Sequence, residues 1–147
     1  MRIEYGAARR VLLVEDNPAE QEVVRAHLAS AKFDVELAPD YQSALRALEM
    51  NRPDLVCVDL TLPRESGYEL CEFMRGAGKL SFEHVPIVVM SDRGSPEEMA
   101  HAEDVGATAF IKKPFTRDRL LKYVFVLLDG PHSSRPSVRR LRRSDPP

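Results

Sequence analysis

The chain has 147 residues, 44% hydrophobic and 30% charged, enough for one domain with a full core and too short for two ordinary ones. Its apolar runs fall far below the ~18 residues that a membrane-spanning helix needs, so no membrane span is expected. The formal net charge of −2 conceals a split: residues 130–147 carry +4, from five Arg against one Asp, and residues 1–129 carry −6.

At the start, MRIEYGAARR places an acid and a Tyr where a signal peptide needs an apolar core, so export is not expected and the cytoplasm is. Val11-Leu12-Leu13-Val14 reads as a buried strand with Glu15 and Asp16 at its end. Pro18 suits a first helical position, and Val23, Val24, His27, Leu28 and Ala31 recur at helical spacing. Phe33, Val35 and Leu37 alternate as a second strand. Asp40 caps a helix carrying Ala44, Leu45 and Leu48. Leu55 to Val58 is a third strand, closed by Asp59. Cys57 in that run reads as a small core hydrophobe rather than a reactive thiol, and the two cysteines, Cys57 and Cys71, form no disulfide framework. Leu70, Phe73 and Met74 mark a third helix ending near Gly76 and Gly78, and Ile87 to Met90 a fourth strand. Ser95-Pro96-Glu97-Glu98 has the order of a capping box, and Gly106 stops the helix it starts. Ala109-Phe110-Ile111 is the fifth strand. Thr116 caps a last helix whose core face is Leu120, Leu121, Val124, Leu127 and Leu128. The boundary falls at Gly130-Pro131, so residues 1–129 form the domain. Residues 130–147 form a basic, Pro- and Ser-rich tail expected to be disordered.

Five βα units in alternation predict an α/β fold, a doubly wound five-stranded parallel sheet with five helices. In such sheets functional groups gather outside the carboxyl ends of the strands. Those ends hold Glu15 and Asp16, Asp59, Ser91 and, just beyond the fifth strand, Lys113. Taken singly, each has an ordinary reading as a turn residue, a cap or a solvated charge. Taken together they are complementary parts of one phosphate chemistry. Three crowded carboxylates raise one another's pKa unless a cation neutralises them. An all-oxygen donor set favours a hard ion, and Mg²⁺ over Ca²⁺ where waters and a phosphoryl group share the site. His27, His84, His101 and His132 show no ligand spacing, which disfavours zinc. With Mg²⁺ in place a carboxylate oxygen can attack phosphorus and form an acyl phosphate, stabilised by metal, ammonium and hydroxyl. Asp59 is the expected nucleophile.

These residues resemble the receiver domains of two-component response regulators, whose fold is flavodoxin-like. The likeness rests on the acid pair in VLLVEDNP, the central LVCVDLTLPRESGYEL, the hydroxyl in PIVVMSD and the AFIKKPF block. It implies that Asp59 is the phosphorylated aspartate and that Asp16, with Glu15 acting through water, binds Mg²⁺ together with the backbone carbonyl of Thr61. Lys113 would pair with the phosphoryl group, on a loop shaped by a cis peptide to Pro114. Ser91 would hydrogen-bond a phosphoryl oxygen on activation, and Phe110 would be the aromatic that follows, unless it is simply core. The face of the fourth helix, fifth strand and fifth helix would then switch. The implied partners are a histidine kinase or phosphotransfer protein and a downstream target, with a homodimer through the switching face as a further possibility. Such a chain assists its own phosphorylation and dephosphorylation and is not otherwise an enzyme.

Two positions depart from the family pattern. Tyr41 stands where the family often has Gly. Asp92, followed by Arg93, stands after Ser91 where a small residue is usual, and could obstruct a donor, repel the phosphoryl group or slow hydrolysis. Two other readings compete. One is a docking module that keeps the fold without phosphorylation. The other is nucleic-acid binding by Arg139-Arg140 and Arg142-Arg143 of the tail, set against a disordered solubilising tail. No second domain after the last helix is expected, hence no DNA-binding domain.

Overall fold

In the structure, a computed structural model that describes residues 8–76 and 82–130, strands and helices alternate without exception. The strands are β1 (Arg10–Val14), β2 (Asp34–Ala38), β3 (Leu55–Asp59), β4 (Ile87–Ser91) and β5 (Ala109–Lys112). The helices are α1 (Pro18–Ser30), α2 (Tyr41–Met50), α3 (Gly67–Arg75), α4 (Pro96–Asp104) and α5 (Arg117–Asp129). The strands pair in parallel in the order β2-β1-β3-β4-β5. β1, β3 and β4 are short apolar runs because both faces of a parallel sheet are covered. Alternate residues serve opposite layers. Val11, Leu13 and Cys57 pack with α1 and α5, while Leu12, Val14, Val56 and Val58 pack with α2, α3 and α4.

Helix starts follow local chemistry. Asn17, Asp40, Ser95 and Thr116 each accept a backbone N–H three residues on, and Pro occupies the first turn of α1 and α4. Gly106 follows α4 with φ of +99°, a conformation open to Gly at little cost. Gly76 caps α3 in extended rather than left-handed backbone, and Gly78 lies outside the described residues. Cys57 is buried and its thiol is pushed up to about 12 by burial, consistent with a core role.

Three apolar positions differ from the sequence expectation. Val23 is 52% exposed, since α1 turns Val24 and Leu28 inward instead; Phe73 is likewise exposed while Cys71 of the same helix is buried. In β2 the strand starts at Asp34, after the buried Phe33, and Leu37 is 39% exposed. That strand lies at the sheet edge, where one side lacks a neighbouring strand. On α5, Tyr123 is buried while Leu127 and Leu128 are only partly so. No helix among the described residues is long and apolar enough to cross a membrane. The tail and its Arg pairs lie outside the described residues.

Candidate functional site

Strand order reverses at β1, with β2 on one side and β3 on the other, and the crevice opens between the carboxyl ends of β1 and β3. Register sets Val14 beside Val58, so the next residue of each strand, Glu15 and Asp59, emerges level at that crevice. An open cavity of about 370 Å³ lies there. Its walls are Glu15, Asp16, Asn17, Pro18, Glu20, Asp59, Thr61, Asp92 and Lys113.

Glu15 is 1% exposed; its backbone N–H donates to Ala38 and one carboxylate oxygen accepts from the Asn17 N–H at 3.2 Å. Burial, then the charge of Asp59, outweigh the pull of Lys113 and raise Glu15 to about 7. Asp59 is also held above the usual carboxylate range by burial, against Lys113 and an N–H from Thr61. Lys113 arrives from the end of β5, where its N–H donates to the Ser91 carbonyl at 2.7 Å and its peptide bond to Pro114 is cis, as the resemblance implied. Its ammonium lies 3.3 Å from Asp59 Oδ1 and 3.2 Å from Glu15 Oε1, and pairs with Glu20. Burial disfavours that charge, but the hydrogen bond to Glu20 and the charges of Asp59 and Glu15 prevail and hold Lys113 above its usual pKa.

Glu15, Asp16, Asp59, Thr61 and Lys113 thus share one cavity. Asp16 lines its wall from an exposed position; among the described residues, the trio whose carboxylate oxygens lie within 4.8 Å of one another is Glu15, Asp59 and Glu20. Sequence reasoning missed Glu20. Its only signal was its place, three residues after the Asn17 cap, where a carboxylate faces back toward the strand ends. Ser91 is buried at the end of β4, with its hydroxyl directed to Glu98 of α4 at 2.9 Å. Phe110 is buried in the α2, α3 and α4 layer.

The bend after Asp59 is held by Gly67, whose N–H donates to the Leu60 carbonyl. A Cβ there would lie 2.7 Å from the Asp59 carbonyl oxygen. Gly67→Ala must therefore push α3 off the end of β3. The expected loss is on the order of 1–3 kcal/mol, read as a lower denaturant midpoint at unchanged slope.

The profile described as response regulator receiver domain matches residues 11–125. The chain belongs to that family. Response regulator MprA of a Mycobacterium species is 36% identical over 130 residues, which cover 84% of this chain and 55% of that protein. The chain therefore spans about half the length of the curated relatives it matches. Among solved structures, chemotaxis protein CheY4 of Vibrio cholerae superposes with a TM-score of 0.75 at 30% identity, over 80% of this chain and 97% of that one. The receiver domain of a sensor histidine kinase from Pseudomonas aeruginosa, with magnesium coordinated in its active-site cleft, does so at 0.73 and 30%, over 81% and 96%. The receiver fold of this chain is the doubly wound sheet described above.

Proposed function

We propose that this receiver domain is a phosphoacceptor, loaded on Asp59 by a histidine kinase or phosphotransfer protein in the cytoplasm and read out by protein contact. The observation that carries the reading is the Lys113 ammonium, 3.3 Å from Asp59 Oδ1 at the end of a buried strand. A phosphoryl group on that carboxylate would meet a fixed cation where its charge develops. An Asp59 oxygen attacks phosphorus as the bond to the donor imidazole nitrogen breaks, and the imidazole keeps the electron pair and takes up a proton. Asp16, Asp59 and the Thr61 carbonyl are the proposed Mg²⁺ ligands, with Glu15 acting through water. The donor set fits a hard cation, because it is all oxygen and gathers carboxylates, Glu15 and Asp59, whose ionised forms burial disfavours. When bound, the ion neutralises these carboxylates and the transferring oxygens.

An apolar groove lined by Ala19, Val23, Val24, Pro114 and Phe115 opens beside Lys113, which supports a protein as the donor. Ser91 and Phe110 are the proposed switch, biasing the face of α4, β5 and α5 toward a downstream protein or a second copy of the chain.

Acetyl phosphate with Mg²⁺ is expected to add one acid-labile phosphoryl group, seen by intact mass. No uptake from small donors or from any kinase would overturn the reading in favour of a docking module. Asp92 shares the cavity wall, so Asp92→Ala is expected to speed loading from acetyl phosphate about fivefold, what one like charge at close range is worth in water. A change confined to the decay of the phosphoprotein would assign Asp92 to hydrolysis instead.

A further inference from the structure

We infer that Glu98 is the positioning residue for the Ser91 hydroxyl, holding it toward the first turn of α4 until a phosphoryl group on Asp59 takes it over. The inference deepens the phosphoacceptor reading and rests on it. Ser91 Oγ donates to Glu98 Oε1 at 2.9 Å and accepts from the Arg93 N–H at 3.1 Å. A hydroxyl has one proton to donate. Ser91 therefore serves either Glu98 or a phosphoryl oxygen, and engaging the second releases the first.

Glu98 is more than a local cap. In a capping box its carboxylate would accept from the N–H of Ser95. It reaches past that group: Oε1 accepts from the Gly94 N–H at 3.0 Å and Oε2 from the Arg93 guanidinium at 2.9 Å. The sequence expectation of a full box is corrected accordingly, since only the Ser95 half forms, with Ser95 Oγ accepting the Glu98 N–H at 3.1 Å. One carboxylate thus ties Ser91, the loop after it and the start of α4 into a single unit. The unit continues outward. The Glu98 carbonyl accepts from the Tyr68 hydroxyl of α3 at 3.3 Å, and the Tyr68 ring stacks on His101 of α4 with centroids 3.9 Å apart. Losing the Ser91 proton leaves Glu98 with Gly94 and Arg93 as partners, so the first turn of α4 loosens without losing its anchor. The coupling is reciprocal: a weaker Glu98 bond makes Ser91 more available to the phosphoryl group.

A double-mutant cycle on the full chain tests this, with wild type, Ser91→Ala, Glu98→Ala and the double variant. Two readouts are taken: the rate of loading from acetyl phosphate with Mg²⁺, and amide hydrogen exchange over residues 94–99 in the unphosphorylated protein. Glu98→Ala is expected to speed loading about fivefold when Ser91 is present and not at all in the Ser91→Ala background, a shift within reach of one hydrogen bond. Glu98→Gln keeps an acceptor and is expected to load at the wild-type rate. An equal effect of Glu98→Ala in both backgrounds, or a Gln variant that behaves like Ala, would overturn the proposal by assigning the effect to helix capping or to bare charge. If wild type takes up no phosphoryl group, the phosphoacceptor reading fails separately, and exchange alone decides the link. Non-additive increases over residues 94–99 uphold it, and additive ones overturn it.

Discussion

Asp59→Asn is expected to abolish phosphoryl uptake and, in the absence of metal, to make the protein more stable. The first half follows from the chemistry, since an amide oxygen neither forms the acyl phosphate nor carries the charge that pairs with Lys113. The second follows from the electrostatics. Burial holds the Asp59 carboxyl above its usual range even though Lys113 and the Thr61 N–H pull it down, so the ionised form at neutral pH is disfavoured by the folded state. Asn keeps the shape and an acceptor for the Thr61 N–H. Lys113 retains Glu15 and Glu20, and Glu15 is relieved of the second-largest influence that raises it. A gain in stability follows, read as a higher Tm in EDTA. Saturating Mg²⁺ should narrow the gap, because a ligand that binds the native site better than the variant's stabilises it by mass action. A variant that melts lower than wild type in EDTA would mean that the Lys113 pair outweighs the burial of Asp59.

The fold and the depth of the site were legible in the sequence for a common reason. A buried parallel strand needs an unbroken apolar run, as in VLLV, LVCV and IVVM, and a carboxylate that ends such a run marks the sheet's carboxyl edge. What escaped were placements decided by tertiary partners. Glu20 and Glu98 both stand three residues after a helix cap, Asn17 and Ser95, where local chemistry expects a carboxylate to turn back on the cap. Neither does so: Glu20 goes to Lys113 and Glu98 to Ser91, Gly94 and Arg93. Ser43 holds the same position in α2 and does close its box with Asp40, in both directions, because its side chain is too short to reach further. Helical spacing also could not separate Val23 from Val24, since both lie on the wide apolar side of α1. Only the placement of α1 across β1 and α5 turns Val24 in and leaves Val23 at the groove beside Lys113.

Lys113→Ala is expected to cost stability in a strongly pH-dependent way. The Lys113 side chain is 15% exposed and its ammonium lies between Glu15, Glu20 and Asp59, so its removal leaves three carboxylates within 4.8 Å of one another and no cation among them. Breaking such a cluster by deleting one partner is worth about 3 kcal/mol when the remaining charges stay ionised. They escape by binding protons. In the native protein Glu15 titrates at about 7 against an ordinary 4.5, so between those values the folded state binds more protons than the unfolded, and stability falls as pH rises through the window. Without Lys113 the downward pull on Glu15 and Asp59 is gone, both rise further, and the window extends upward. The deficit relative to wild type should therefore be small near pH 5, grow through neutrality and approach its full size above pH 8, as measured by urea denaturation in EDTA. Mg²⁺ supplies the missing charge at the same place, so adding it at pH 8 should recover much of the stability while leaving loading from acetyl phosphate slow, because the metal restores the charge balance but not the ammonium aimed at the phosphoryl group. A deficit that stays constant with pH would instead assign the loss to packing of the lysine stem, independent of the carboxylates it bridges.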